Sequence, residues 1–163
     1  MVTKSDFTPE EWQQILTVPQ MASIYVALSS PSGPIGLIQE MVASTKLIAE
    51  VIKTNSGNTL IDAVAADFQD KVEKRERIEA PEMSRDKEEL QAQSLQAVRD
   101  VAALLAMKAP TEAEGFKRWV YEAAQHSAQA AKEGGFLGIG GTRVNEAETA
   151  ALQEIASALG IQV

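Results

Sequence analysis

Two groups of residues in this 163-residue chain have the types and spacing that chemistry needs, and a third has the types alone. The first is Gly135-x-x-x-x-Gly140-Gly141-Thr142, which has the glycine spacing of a phosphate-binding loop and leads toward a helix N-terminus. Its chemistry is incomplete. Gly141 stands where a lysine should neutralise the β- and γ-phosphates, the loop follows a helical pattern where a strand is needed, and Glu146 and Glu148 already occupy the positive end of the next helix. Arg143 is the sole cationic support, so phosphate binding is not expected. Two readings of the loop remain. Either Phe136, Leu137 and Ile139 tuck between helices, with glycines supplying the turns, or they form a small apolar docking knob for another protein. Gly135, Phe136, Leu137, Gly138, Ile139 and Arg143 are therefore the candidate interaction residues.

The second group is His126 with Glu122 four residues before it, on one face of a helix. His126 is the only histidine, so a Ser-His-Asp arrangement or a multi-histidine metal site would run through it alone. A surface Glu-His pair is the expectation. The third group is the carboxylates Asp62, Asp67, Asp70, Glu73, Glu76 and Glu79. Paired acids for hydrolysis need a cleft, and acids interleaved with Lys71, Lys74, Arg75 and Arg77 read as a solvated helix face. With no cysteine there are no disulfides, thiolate ligands or thiol nucleophiles. No catalytic residue is predicted, and the chain is expected not to be an enzyme.

A net charge of −8 repels phosphate backbones and anionic lipid, so nucleic acid is not an expected partner. Composition that is 45% apolar and 23% charged is too hydrophobic for a disordered acidic chain. Met1–Asp6 lacks the apolar core of a secretion signal, and no apolar run approaches the ~20 residues of a spanning helix. Neither export by that route nor membrane insertion is predicted, and the lack of cysteine suits a cytoplasmic location.

The elements that must position these residues are helical throughout. Thr8-Pro9-Glu10-Glu11 is a capping box that opens a short helix carrying Trp12, Ile15 and Leu16. Pro19 predicts a break and a second helix with Met21, Ile24, Tyr25 and Leu28. A third is expected from Pro34 to Lys53, with Leu37, Met41, Ile48, Val51 and Ile52 as its stripe. A fourth starts near Thr59, with Ile61, Val64, Phe68 and Val72 inward, and runs toward Glu79. Ser84 opens a fifth with Leu90, Val98, Val101 and Leu105, closed by Ala109-Pro110. Thr111–Glu114 is a second capping box, before Phe116, Trp119, Val120, Ala123, Ser127 and Ala130. Asn145 caps the last helix, which buries Ala151, Leu152, Ile155 and Leu159 and stops at Gly160. The prediction is one all-α domain over 1–163, a compact bundle of about seven helices. A possible internal pseudo-repeat aligns Glu40, Ala43, Leu47 and Val51 with Glu148, Ala151, Ile155 and Leu159.

The stretch from Ala128 to Gly160, with its helix, glycine-bearing loop, Val144-Asn145-Glu146-Ala147-Glu148 opening and Leu152-x-x-Ile155-x-x-x-Leu159-Gly160 ending, resembles the C-terminal part of tellurite-resistance TerB-like proteins. Met21 to Val51 is similar to their first half. The resemblance implies a bacterial, all-helical, pseudo-repeated module in tellurite and stress response, acting through metal-ion and protein interactions and not through turnover. Such proteins carry Asp-Gly and further acids in their inter-helix loops. Here those loops read Ser29-Ser30-Pro31-Ser32-Gly33 and Lys132-Glu133-Gly134-Gly135, leaving Glu40, Glu146 and Glu148 as the oxygen ligands for a divalent cation, fewer than the ~6–8 that Ca²⁺ takes. No other cofactor is expected. A protein partner or self-association is the functional expectation, with a small ligand or metal held between helices as the alternative.

Overall fold

The computed structural model describes residues 1–29, 56–76, 82–133 and 146–163, with the backbone alone for 130–133. These contain a 3₁₀ turn, Lys4–Asp6, and five α-helices: α1 Pro9–Ser29, α2 Thr59–Lys74, α3 Lys87–Lys108, α4 Pro110–Glu133 and α5 Glu146–Leu159. The described residues contain no strand, and the all-helical class holds. Five helices replace the expected seven for two reasons. The helix predicted over 34–53 lies outside the described residues, and with it the first half of the proposed repeat. The break at Pro19 does not occur.

Instead α1 runs unbroken through Pro19. Proline removes the N–H that would reach the Ile15 carbonyl and crowds that carbonyl with its ring. The helix persists because its surroundings hold it: Ile15 to Pro19 and Met21 to Ala27 are all buried, and a helix apolar on every side is a central one. Serine and threonine hydroxyls bond the backbone on both sides of the proline, Thr17 Oγ1 to the Gln13 carbonyl at 2.9 Å and Ser23 Oγ to the Pro19 carbonyl at 2.9 Å.

The capping box predicted at Thr8 forms, with the Glu11 amide donating to Thr8 Oγ1 and the Thr8 amide donating to Glu11 Oε2. Phe7, just before the cap, lies against Trp12 at 5.8 Å between ring centroids, the apolar staple that often accompanies such a box. Other boundaries move. Asp86, not Ser84, caps α3 by accepting from the Glu89 amide, while Ser84 donates to the Glu89 carboxylate. The box at Thr111 does not form, because Pro110 at the first helical position starts α4 two residues sooner and the Ala109 carbonyl takes the Glu112 and Ala113 amides. Helix α2 stops at Lys74, where Arg75 turns left-handed at φ 55° and the Glu76 amide returns to the Lys71 carbonyl. Gly160 ends α5 as expected, at φ 69°, with the Ile161 amide on the Ala156 carbonyl.

Helices α1, α3, α4 and α5 form a four-helix bundle in which every pair touches. End-to-end bonds set the directions. Lys108 meets Glu11 at 2.6 Å and Gln91 meets Ser29 at 2.9 Å, so α3 is antiparallel to α1. The Ala109-Pro110 link starts α4 beside the start of α1 and Ser127 meets Ser23 toward the other end, so α4 is parallel to α1; α5, with Glu154 at Tyr25 and Ile161 back beside Pro110, returns antiparallel. The core contains Ile15, Val18, Leu105, Phe116, Val120, Ile155 and Leu159, all essentially without solvent contact. Helix α2 lies across the α4 N-terminus and buries only its first two turns through Leu60, Ile61, Val64 and Ala65. Phe68 is half-buried and Val72, predicted inward, is 73% exposed because the helix has passed the edge of the bundle.

Candidate functional site

The bundle end where α3 turns into α4 carries an open groove of ≈ 560 Å³. Ala106 comes from the last turn of α3, Pro110 and Ala113 from the start of α4, and Ile161 from the chain after α5. Its position follows from local chemistry already described. The tight Ala109-Pro110 link brings α3 and α4 together, and the left-handed Gly160 folds Ile161 back beside them. The floor is therefore small and aliphatic. The rest of the lining is polar: Glu114, Lys117 and Arg118 on α4, and Gln162 after α5.

The charges in that lining are unequally engaged. Arg118 Nη2 meets Glu114 Oε1 at 3.0 Å, an i, i+4 pair whose side chains are 53% and 76% exposed and which solvent weakens. Lys117 is half-buried and has no ion-pair partner among the described residues. Met107, the chain neighbour of Ala106, is an exposed large apolar side chain.

Most other polar groups in the interior are engaged with one another. Ser127 Oγ donates to Ser23 Oγ at 2.9 Å, and Ser94 Oγ to the Leu90 carbonyl at 2.7 Å. The Tyr25 hydroxyl donates to the Glu154 carboxylate, linking α1 to α5. Burial, then that bond and the Glu154 charge, push the phenol up to about 12 against the opposing field of Arg99. Asp67 joins three segments by accepting from Lys4 Nζ at 2.6 Å and Trp12 Nε1 at 3.2 Å. Burial works against its charge, but those two donors overcome it and hold the carboxyl below its ordinary range. Trp119 Nε1 is the one buried side-chain polar atom without a partner among the described residues.

The residues singled out from sequence are scattered by comparison. His126 and Glu122 are both exposed on α4. Glu146 is exposed and Glu148 buried, as two positions roughly 200° apart around a helix must be. Glu40 and the candidate loop residues Gly135, Phe136, Leu137, Gly138, Ile139 and Arg143 lie outside the described residues. Among the described residues no three acids or histidines cluster as metal ligands would, and no helix is long and apolar enough to cross a membrane. Sequence reasoning missed the groove. Its lining is drawn from three chain regions, and the available signal was slight: Ile161 just beyond a helix-ending glycine, where an apolar residue commonly folds back.

Searches against protein-family models, curated proteins and solved structures return no match.

Proposed function

We propose that this chain is a non-enzymatic helical module that acts by binding another protein, and that the groove between α3, α4 and the residues after α5 is a binding surface. The observation that carries the reading is the groove's composition. An aliphatic floor beside a half-buried lysine that has no ion-pair partner among the described residues makes a mixed apolar and cationic surface that a partner would cover. The side chains that most readily do chemistry are engaged elsewhere or apart: the buried hydroxyls bond helix carbonyls and each other, and His126 stands in solvent.

A TerB-like setting, in a bacterial cytoplasm under tellurite or other stress, is part of the same proposal. Its support is the sequence pattern from Ala128 to Gly160, whose described portions are the end of α4 and the whole of α5. The alternative, a small ligand between helices, would use the same groove, whose volume is within the ~300–1,000 Å³ of ligand clefts.

The test compares variants. Ala106→Trp fills the groove from an exposed helix position, and Phe136→Ser with Leu137→Ser alters the glycine-rich loop. Partners crosslinked to the wild type and lost with Ala106→Trp, at unchanged helicity and Tm, support the groove. Retention of every partner by Ala106→Trp with loss through the loop pair moves the binding surface to the loop. Retention by both overturns the reading. Altered survival on tellurite in cells expressing the chain, abolished by the effective variant, would support the stress assignment.

A further inference from the structure

The chemistry of the groove narrows what it would hold. We propose, building on its reading as a protein-binding surface, that it takes the C-terminal end of a partner polypeptide, with an aliphatic last residue on the floor and the terminal carboxylate between Lys117 and Arg118. Three features of the groove converge on that occupant.

The floor is made of the side chains of Ala106, Pro110, Ala113 and Ile161, so it offers van der Waals contact to one aliphatic side chain. Immediately beside it stand two cations. Among the described residues Lys117 has no counter-ion, and Arg118 pairs only with the solvent-exposed Glu114, which a better-placed carboxylate displaces at little cost. Lys117, Arg118 and Glu114 sum to a local charge of +1 on a chain of net charge −8, so an anionic ligand is drawn here and repelled by the surface in general. The Gln162 amide, also in the lining, supplies a neutral donor and acceptor of the kind that pairs with a peptide bond. A carboxylate one bond from the backbone and an aliphatic side chain on the same residue is what a chain terminus presents. An internal Asp or Glu supplies the carboxylate without the aliphatic group beside it.

The experiment titrates the full-length ¹⁵N-labelled chain with three short acetylated alanine peptides: one ending in leucine with a free carboxylate, the same peptide amidated, and one with an internal glutamate and an amidated end. The expected result is saturable shifts at Ala106, Ala113, Lys117, Arg118 and Ile161 with the free acid. Binding weakens about tenfold on amidation, by about 1.4 kcal/mol, and weakens further in 1 M salt. Lys117→Gln should reproduce the loss caused by amidation while leaving the amidated peptide's affinity unchanged, which a merely structural lysine would not do. Equal binding of acid and amide, tighter binding of the internal glutamate peptide, or no groove shifts at millimolar free acid would each overturn the proposal. Loss of crosslinked partners in Ala106→Trp alongside any of these results would leave the groove a protein-binding surface with a different occupant.

Discussion

Replacing Gly115 by alanine should destabilise the protein, against the usual direction for an exposed helical glycine. Gly115 is in the second turn of α4, where alanine is ordinarily favoured by ~1 kcal/mol through its helix propensity. A Cβ built there lies 2.6 Å from Asn58 Nδ2, far inside van der Waals contact. Asn58 is a side chain whose end can swing away, but doing so undoes two functions at once. Its Oδ1 caps α2 by accepting the Leu60 and Ile61 amides at 3.1 Å each, and its Nδ2 donates to the Glu112 carbonyl at 2.9 Å.

Losing an Asn cap costs about 1 kcal/mol and a net hydrogen bond about another 1. Set against the ~1 kcal/mol propensity gain, the variant should lose about 1 kcal/mol, or roughly 2–4 °C in Tm for a chain of this size. Asn58→Ser provides the control, because serine keeps a capping oxygen and removes the amide that clashes. In that background Gly115→Ala should regain its stabilising sign. Urea unfolding of the four proteins, with m held constant, gives a coupling energy of about 2 kcal/mol between the sites. A stabilised Gly115→Ala in the wild-type background, or additive effects across the cycle, would refute the contact between α2 and α4 as the reason for the glycine.

Three further outcomes follow from buried polar contacts. Asp67→Asn should flatten the acid limb of stability against pH: the folded carboxyl titrates below its unfolded value of 3.8, so its contribution is complete above about pH 5 and lost as pH falls through the lowered value, which thermal melts from pH 2 to 6 would show. Tyr25→Phe should remove an alkaline loss of stability, because a phenol raised to about 12 from 10 favours the fold below pH 10 and ceases to as pH rises through 12; wild type alone should lose stability across that window in denaturant titrations. Ser23→Ala should cost more than Ser127→Ala, since it removes two hydrogen bonds, to the Pro19 carbonyl and from Ser127, at ~1 kcal/mol each, whereas after Ser127→Ala the Ser23 hydroxyl still donates to the Pro19 carbonyl. Equal losses in a urea titration would count against that assignment of donor and acceptor.

Where an element is governed by neighbours in the chain, the sequence reading and the structure agree. Thr8 and Glu11 cap each other, Gly160 ends α5, and the stripes through Val98, Val101 and Leu105 and through Ile155 and Leu159 are buried. It fails where a tertiary surrounding decides. Pro19 carries a local rule that says break, and burial on all sides of α1 overrides it. Val72 continues a stripe of correct helical period, but period says nothing about how far the neighbouring bundle extends. The groove was the least legible feature of all. Ala106, Ala113 and Ile161 are unremarkable residues, and Lys117 becomes notable only when Glu114 beside it has been assigned to Arg118.

The register of the bundle is what creates that groove, and directional contacts set it better than apolar ones. Leucine, valine and alanine faces tolerate small slides and rotations between helices with little change in buried area, whereas a hydrogen bond lost to a one-turn slide leaves a buried donor or acceptor unpaired. The central helix α1 meets α3 at both ends, through Glu11 with Lys108 and Ser29 with Gln91, and these two contacts fix the axial position of α3. Ser23 with Ser127 fixes α4, and Tyr25 with Glu154 fixes α5. None is worth more than about 1–3 kcal/mol. Their combined effect is positional: sliding α4 by one turn, about 5.4 Å, would carry Lys117 and Arg118 away from Ala106 and Ile161 and remove the juxtaposition of cation and aliphatic floor. The buried Ser23–Ser127 pair thereby reinforces, toward the far end of α4, the position that the Ala109-Pro110 link sets beside the groove.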